Sequence, residues 1–194
     1  KEIKKKELIV RFSYFEKQLD KNLYKFKTNV SYLNADSIDK INSNKKLIKK
    51  IKKLEVDFLC LKKNSVNKFV ANQRIYFNKN FLFSGSPNML QHCLVDILFH
   101  EAKKIKLYNF NFYLDKKPYH KNYTDLKNIN HNSFKELWLY SFAIHDWYCN
   151  FVFIKYLHYK KLIIVSDEIK KIIKFDDFKI YKLMEKYYNF IKKN

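Results

Sequence analysis

Short apolar runs alternate along this chain with longer stretches in which apolar residues recur at every third or fourth position. Runs rich in Val, Ile, Tyr and Phe predict strands, because β-branched and aromatic side chains suit a pleated, half-buried surface. The predicted strands are Glu7 to Phe12, Thr28 to Leu33, Val56 to Leu61, Arg74 to Phe77, Lys104 to Phe110 and Leu162 to Val165.

The stretches with helical spacing predict helices between these strands. We expect Asp36 or Ser37 to cap the first helix, and Ser86 to cap the second, with Pro87 in its first turn. The polar stretch from residue 114 to 132 predicts a loop. The predicted helices are Asp36 to Lys53, Ser86 to Leu98, Phe134 to Phe142, Asp146 to Tyr159, Asp167 to Ile173 and Asp177 to Ile191.

Strands that alternate with helices imply crossover connections, and crossover connections imply a mainly parallel sheet flanked by helices. We therefore predict an α/β fold with one domain over residues 1–175 and a C-terminal amphipathic helix over 176–194. Ligands of such folds bind beyond the carboxyl ends of the strands. The residues expected there are Ser13, Asn34, Ser84 to Ser86 and Asn111 to Tyr119.

Charge is the most unusual property of the composition. The chain of 194 residues has a formal net charge of +21, and among its 40 Lys and Arg residues only Arg11 and Arg74 are arginines. The planar guanidinium group of arginine forms two hydrogen bonds at once to guanine or to a phosphate, and for this reason arginine is preferred in specific nucleic-acid binding. We therefore predict no specific nucleic-acid binding and attribute the lysine excess to a general compositional bias.

The sequence excludes several classes of site. Gly85 is the one glycine, so no glycine-rich dinucleotide or P-loop motif is present in the printed sequence. The three cysteines, Cys60, Cys93 and Cys149, are widely separated and suit reduced core thiols. No His or Cys spacing typical of a metal site occurs, so we predict neither a metal nor a cofactor.

Gly85 lies in the segment Phe83-Ser84-Gly85-Ser86-Pro87, between a predicted strand end and a predicted helix start. A glycine retained in so glycine-poor a chain indicates either a simple tight turn or a close approach of the backbone to a ligand. The amide groups at a helix start bind anions. This turn is therefore a candidate phosphate site.

Five short segments add a family resemblance. They are Arg11 with Ser13; Tyr32-Leu33-Asn34; Ile75-Tyr76-Phe77-Asn78 leading to Ser84-Gly85; Asn111-Phe112-Tyr113 with Tyr119; and Phe142-Ala143-Ile144-His145. In this order they resemble the bacterial lipooligosaccharide sialyltransferases of glycosyltransferase family 42. The resemblance spans most of residues 1–175.

The resemblance implies a Rossmann-like fold and metal-independent, inverting transfer of sialic acid or a related sugar. The donor would be activated by cytidine monophosphate (CMP), and the acceptor would be a surface glycan of the lipooligosaccharide type. His145 would be the catalytic base, and Tyr113 and Tyr119 would donate hydrogen bonds to the leaving phosphate. The nucleotide-sugar contacts would come from Ser13, Asn34, Ser84, Gly85, Ser86, Asn111 and Phe112.

Alternatives to this function stay open. A histidine beside Trp147 also suits a satisfied or surface residue, and Tyr113 and Tyr119 also suit packing. The family's first strand and its Gly-Asn-Gly-Pro-Ser donor loop have no counterpart in the printed sequence, and Ser13 and Phe142 replace an Asn and a Tyr. The alternative function is therefore an inactive member of the fold that serves as a binding or assembly module.

The C-terminal helix is predicted to be basic and amphipathic. Its apolar positions include Phe178, Tyr181, Met184 and Tyr188, with lysines between them. Such a helix either docks on its own core, lies on a membrane surface or forms a contact in a homo-oligomer. The apolar runs of the sequence are too short to span a membrane. We expect a cytoplasmic protein, or one bound peripherally to the inner membrane.

Overall fold

The computed structural model describes residues 8–12, 28–52, 56–65, 68–76, 87–108, 110, 112, 114 and 145–193. The α/β class and the parallel sheet flanked by helices are confirmed, because every paired strand among these residues runs parallel to its neighbour. The contacts divide the chain into two compact units, Lys1–Lys79 and Asn80–Asn194. The division predicted at residue 175 stays a prediction.

The first unit contains a four-stranded sheet in sequential order. Its strands are β1 (Val10–Phe12), β2 (Val30–Leu33), β3 (Phe58–Leu61) and β4 (Gln73–Ile75), and the helices α1 (Ala35–Asn42) and α2 (Lys45–Lys52) connect β2 to β3. These strands lie within the predicted apolar runs, apart from Gln73, which extends β4 by one residue.

Alternate strand residues of this sheet face the helices, as the period of two requires. Leu33, Leu59 and Leu61 form a core with apolar side chains of α1 and α2 and with Phe69. Each such aliphatic side chain contributes about 1.5–3 kcal/mol when it is fully buried. Tyr32 and Cys60 are also buried and lie opposite each other in the register of β2 and β3.

The prediction of one helix from Asp36 or Ser37 to Lys53 is wrong. Two helices occur, and the first is capped by Asn34, whose Oδ1 accepts from the Ser37 N–H at 2.8 Å. Asn44 caps the second and accepts from the N–H groups of Lys46 and Leu47. In one continuous helix, Ile41 and Leu47 would lie about 120° apart around the axis. The break lets both side chains reach the core.

The second unit contains a pair of parallel strands and four helices among its described residues. The elements are α3 (Met89–Phe99), β5 (Ile105–Leu107), α4 (Trp147–Tyr159), β6 (Ile163–Val165), α5 (Asp167–Ile173) and α6 (Asp177–Lys193). Its core includes Leu94, Leu107, Phe151, Ile154 and Ile163. The helix predicted over Phe134 to Phe142 lies outside the described residues.

The start of α3 differs from the prediction. Asn88, not Ser86, is the N-cap residue, and Pro87 precedes the helix instead of standing in its first turn. Asn88 has the extended conformation that is usual for an N-cap residue, and its N–H donates to Oδ1 of Asn150 at 3.2 Å. The sequence pattern carries no sign of that partner.

α3 and α4 both end in a Schellman motif, in which the residue after the C-cap takes a left-handed conformation. That residue is Glu101 after α3, with φ 55°, and Lys161 after α4, with φ 59°. The matching bonds run from the Ala102 N–H to the Ile97 carbonyl and from the Leu162 N–H to the Leu157 carbonyl. Glycine usually occupies this position, so the low glycine content has a direct structural cost.

The first half of α6 packs on its own unit. Ile180 is fully buried in the core, Met184 packs against that core, and the Tyr181 ring stacks on Tyr148 at a centroid distance of 4.8 Å. These contacts favour the docked alternative for the first half of this helix. Among the described residues no helix has both the length and the apolar character needed to cross a membrane.

Candidate functional site

His145 stands directly before α4, as the sequence predicts, and its side chain is half-buried. The next residue, Asp146, caps the helix, because its Oδ1 accepts from the Cys149 N–H at 2.8 Å. An acidic N-cap also interacts favourably with the helix dipole. The backbone on both sides of His145 is therefore held by the start of a regular helix.

Asn150 connects this helix start to the start of α3. Its Oδ1 accepts from the Asn88 N–H at 3.2 Å, and its Nδ2 donates to the Asp146 carbonyl at 2.6 Å. The Asn150 carbonyl accepts from Nε2 of Gln91 at 3.5 Å. Asn150 is only 2% exposed and Gln91 is fully buried. The starts of α3 and α4 thus share one buried polar cluster.

The segment that carries Phe112 packs on the same part of α4. The Phe112 ring lies 5.5 Å from the Phe151 ring and 4.7 Å from the Phe110 ring, measured between centroids. Phe112 is 2% exposed and has a φ of 56°, which is uncommon for a bulky residue. Phe112 therefore has a backbone conformation that bulky residues seldom adopt, and in the sequence it stands between the predicted site residues Asn111 and Tyr113.

The topology explains why these segments meet. Only residues 160–162 separate α4 from β6, so α4 runs back along β6 and begins beyond the carboxyl end of that strand. β5 lies parallel to β6 and ends at the same edge, where the chain continues towards Phe112. Within the second unit, His145, Phe112 and the start of α3 therefore lie at the edge where α/β folds bind ligands.

The ionisation of Tyr148, in the first turn of α4, is perturbed. Partial burial raises the pKa of Tyr148 above its ordinary value of 10.0, and the hydrogen bond to Asp177 and the charge of that carboxylate raise the pKa further. The Lys155 Nζ lies 4.0 Å from Oδ1 of Asp177 and donates to the Phe175 carbonyl at 2.9 Å. These contacts join the first turns of α6 to α4.

Asn34 lies in the first unit, at the carboxyl end of β2 where the sequence predicts a site residue. Its Oδ1 caps α1 and is therefore already engaged by the Ser37 N–H. Arg11 on β1, from the first matched segment, is bonded through Nη1 to the Thr28 hydroxyl. Both side chains have structural partners, and the nucleotide contact predicted for Asn34 stays a prediction.

Most of the other predicted site residues lie outside the described part of the chain. Phe112 and His145 are described, and the second unit brings their segments together at one edge. The contacts predicted for the rest stay predictions. The residues concerned are Ser13, Ser84, Gly85, Ser86, Asn111, Tyr113 and Tyr119.

Sequence reasoning missed Asn150 and Gln91. Each is an amide side chain within a helical segment that also buries apolar side chains, such as Phe151 and Leu94. A polar residue on a buried helix face was the available signal, because buried amides need specific partners.

Two other features of the structure bear on function. Among the described side chains, no three His, Cys, Asp or Glu residues come together in a way that could hold a metal ion. A shallow, open depression of 640 Å³ in the first unit is lined by residues 52, 56 and 68–71. None of the predicted site residues lines this depression.

Comparisons of the chain with protein-family models, with curated proteins and with solved structures found no match. The geometry at the start of α4 and the order of the five segments therefore carry the functional argument.

Proposed function

We propose that this chain is a glycosyltransferase that resembles sialyltransferases and uses a CMP-activated sugar as its donor. One observation carries the proposal: the helix start that follows His145 packs against the Phe112 segment and is hydrogen-bonded to the start of α3. Phe112 of one motif segment, the start of the helix that follows the His145 segment and the start of α3 thus meet at one edge of the second unit, although they are far apart in sequence.

The donor phosphate would bind at the turn that the sequence predicts for Ser84, Gly85 and Ser86, which precede α3 in the chain. Backbone amide groups near a helix start stabilise a phosphate, and the α3 dipole adds to this stabilisation. Asn88 caps α3 without a side-chain hydrogen bond to the helix. The first amide groups of α3 therefore have no intrahelical partner from a capping side chain.

His145 would act on the acceptor. A neutral imidazole can accept the proton of a sugar hydroxyl as that oxygen attacks the donor, and such general-base catalysis contributes about 10²- to 10⁴-fold. Tyr113 and Tyr119 would donate hydrogen bonds to the phosphate of the departing CMP, which stabilises its developing charge without a metal ion. Direct attack on the sugar carbon inverts its configuration.

A second function, that of an inactive binding or assembly module, is favoured by one observation. The printed sequence contains a single glycine, so it holds no glycine-rich loop of the kind that grips a nucleotide. The two functions differ in whether the chain binds CMP, because a transferase requires its donor and an assembly module does not.

Calorimetric titration with CMP tests the proposal. We expect binding to the wild-type chain, and weaker binding after Gly85→Val, which crowds the turn. His145→Gln should leave CMP binding nearly unchanged but abolish sugar transfer, because the base acts on the acceptor. Uridine monophosphate is the control nucleotide. Absence of CMP binding, or full transfer activity in His145→Gln, would reject the transferase.

A further inference from the structure

The outer side of α4 exposes apolar side chains at helical spacing. Val152, Tyr156 and Tyr159 are all exposed, Tyr159 to 78%, and in a regular helix they lie within about 60° of one another around the axis. The inner side of the same helix is buried in the core through Ile154 and Leu157. The exposed stripe is therefore separate from the side by which α4 packs.

α6 lies beside α4 and extends this surface. The Tyr181 ring stacks on Tyr148, and Asp177 lies 4.0 Å from the Lys155 Nζ, so the two helices run in opposite directions. Both helices bury their inner sides in the same core cluster. Their outer sides therefore form one surface of the second unit.

We call this surface the aromatic face. Phe178 is 74% exposed on it, although α6 also has a buried side at Ile180. Single exposed apolar residues are common on proteins, but a contiguous group of them marks an interaction site. The apolar members of the aromatic face are Val152, Tyr156, Tyr159, Phe178 and Tyr181.

Lysine ammonium groups lie over the rings of the aromatic face. The Lys160 Nζ is 5.7 Å from the centroid of Tyr156 and 5.9 Å from that of Tyr159, and the Lys182 Nζ is 5.7 Å from the centroid of Phe178. Aromatic rings beside lysines are typical of surfaces that lie at the headgroup level of a bilayer. Further exposed lysines of α6 are Lys179 and Lys186.

We propose that the aromatic face binds the surface of a bilayer rich in anionic phospholipids, with its rings among the headgroups and its lysines near the lipid phosphates. Charge favours this partner over a second copy of the chain, because two copies that each carry +21 repel each other. The proposal is independent of the proposed enzymatic function.

Helix α2 provides an internal comparison. It also exposes lysines, such as Lys46 and Lys49, but its apolar side chains Leu47 and Ile51 are buried in the core of the first unit. Attraction by charge alone would therefore involve α2 as much as α6, whereas the proposal requires lysines beside exposed rings.

Sedimentation of the full chain with vesicles tests the charge. We expect binding to phosphatidylglycerol vesicles and none to phosphatidylcholine vesicles. The pair Lys179→Gln with Lys186→Gln should weaken the binding about 30-fold, while Lys182, which forms an ion pair, is kept. The matched control is Lys46→Gln with Lys49→Gln, which removes the same charge from α2 and should have a much smaller effect. Absence of binding to phosphatidylglycerol, equal binding to both lipids, or equal weakening by the two pairs overturns the proposal.

Tryptophan fluorescence tests the position of the rings. In Phe178→Trp the emission should shift to shorter wavelength when phosphatidylglycerol vesicles are added, because the indole leaves water. Phe99→Trp is the matched control, since Phe99 is 81% exposed at the end of α3, outside the aromatic face, and its emission should not change. An unchanged spectrum in Phe178→Trp, or an equal shift in Phe99→Trp, contradicts the proposal.

The variant Phe178→Ser separates the lipid from other partners. It should weaken binding to phosphatidylglycerol vesicles about tenfold and leave the fold intact, because the ring is exposed. Binding to a DNA duplex that weakens as strongly would assign the face to nucleic acid instead. A dimer, seen by light scattering, that Phe178→Ser dissociates would assign the face to a second copy. Either result rejects the membrane surface as the partner.

Discussion

Because the chain contains almost no glycine, other residues occupy the left-handed positions at two of its helix ends. Glu101 and Lys161 take left-handed conformations at the ends of α3 and α4, where a side chain costs about 1–2 kcal/mol relative to glycine. Their bonds to the preceding turns hold them there in spite of this cost. The same depletion makes the retained Gly85 informative.

Lys161→Gly should therefore stabilise the protein. We expect a gain of about 0.5–1 kcal/mol in the free energy of unfolding, because relief of the left-handed strain exceeds the entropy that glycine adds to the unfolded chain. Urea denaturation measures the gain. The matched control is Lys160→Gly, since Lys160 has a φ of −73° and gains no relief. Equal effects at both positions would contradict the explanation.

Phe112 differs from these two residues because no helix in the described part of the chain ends beside it. It has a φ of 56° although its ring is buried against Phe151. A bulky residue keeps such a conformation only where its surroundings hold it, and such positions are concentrated at binding and catalytic sites. This outlier is an independent reason to place a site beside Phe112.

The Tyr148 hydroxyl should remain protonated at higher pH than an ordinary tyrosine, since its pKa in the folded chain is raised by burial and by Asp177. The folded state then holds a proton that the unfolded state releases, so stability falls as the pH rises above about 10. Urea denaturation between pH 8.5 and about 11 measures this fall. Tyr148→Phe should show a smaller fall, and an identical pH dependence would contradict the assignment.

At the scale of elements, the local sequence pattern determines the strands and the start of α4, whereas a tertiary contact determines the start of α3. The strands could be predicted because runs such as Val30–Leu33 and Phe58–Leu61 are rich in side chains that suit a buried sheet. The start of α4 could be predicted because Asp146 caps it locally. The start of α3 could not, since Asn88 is held by Asn150, 62 residues away.

The candidate site also has parts that could be predicted from the sequence and parts that could not. His145 could be placed before a helix from the sequence, and the edge where it lies follows from the order of strands and helices. The hydrogen bonds of the Asn150 side chain to Asn88 and Asp146 could not be predicted. A pattern of polar and apolar positions indicates burial, but it does not indicate the partner of a buried amide.

Asn34 allows a capping role to be separated from ligand binding. Asn34→Asp should leave stability nearly unchanged, because aspartate caps a helix as well as asparagine, whereas Asn34→Ala should cost about 1 kcal/mol in the free energy of unfolding. If Asn34 also contacts the nucleotide, Asn34→Asp weakens CMP binding through charge repulsion. Denaturation and calorimetry on the same variants measure the two effects. Unchanged CMP affinity in Asn34→Asp would leave Asn34 with the capping role alone.

At the scale of the whole molecule, charge is distributed over both units. Exposed lysines occur on α2, as at Lys46 and Lys49, and also in the second unit, as at Lys160 and Lys171. Few acidic partners balance them: Lys63 with Asp39 and Lys182 with Glu185 are among the described ion pairs. Folding therefore brings many like charges together, and the repulsion favours the unfolded state.

Salt should consequently stabilise this protein. Since the Debye length falls from about 14 Å at 0.05 M to about 4 Å at 0.5 M, added sodium chloride screens repulsion between lysines more than the few close ion pairs. We expect a gain of about 1–2 kcal/mol in the free energy of unfolding over this range, measured by urea denaturation because urea carries no charge.

The variant Lys46→Glu should be more stable than the wild type at low salt, since a carboxylate suits the first turn of α2, and its advantage should shrink as salt is added. Lys52→Glu, at the other end of α2, removes the same charge without the favourable dipole and should gain less. Stability that falls with salt would show that attraction within ion pairs, and not repulsion among lysines, dominates the electrostatics of the fold.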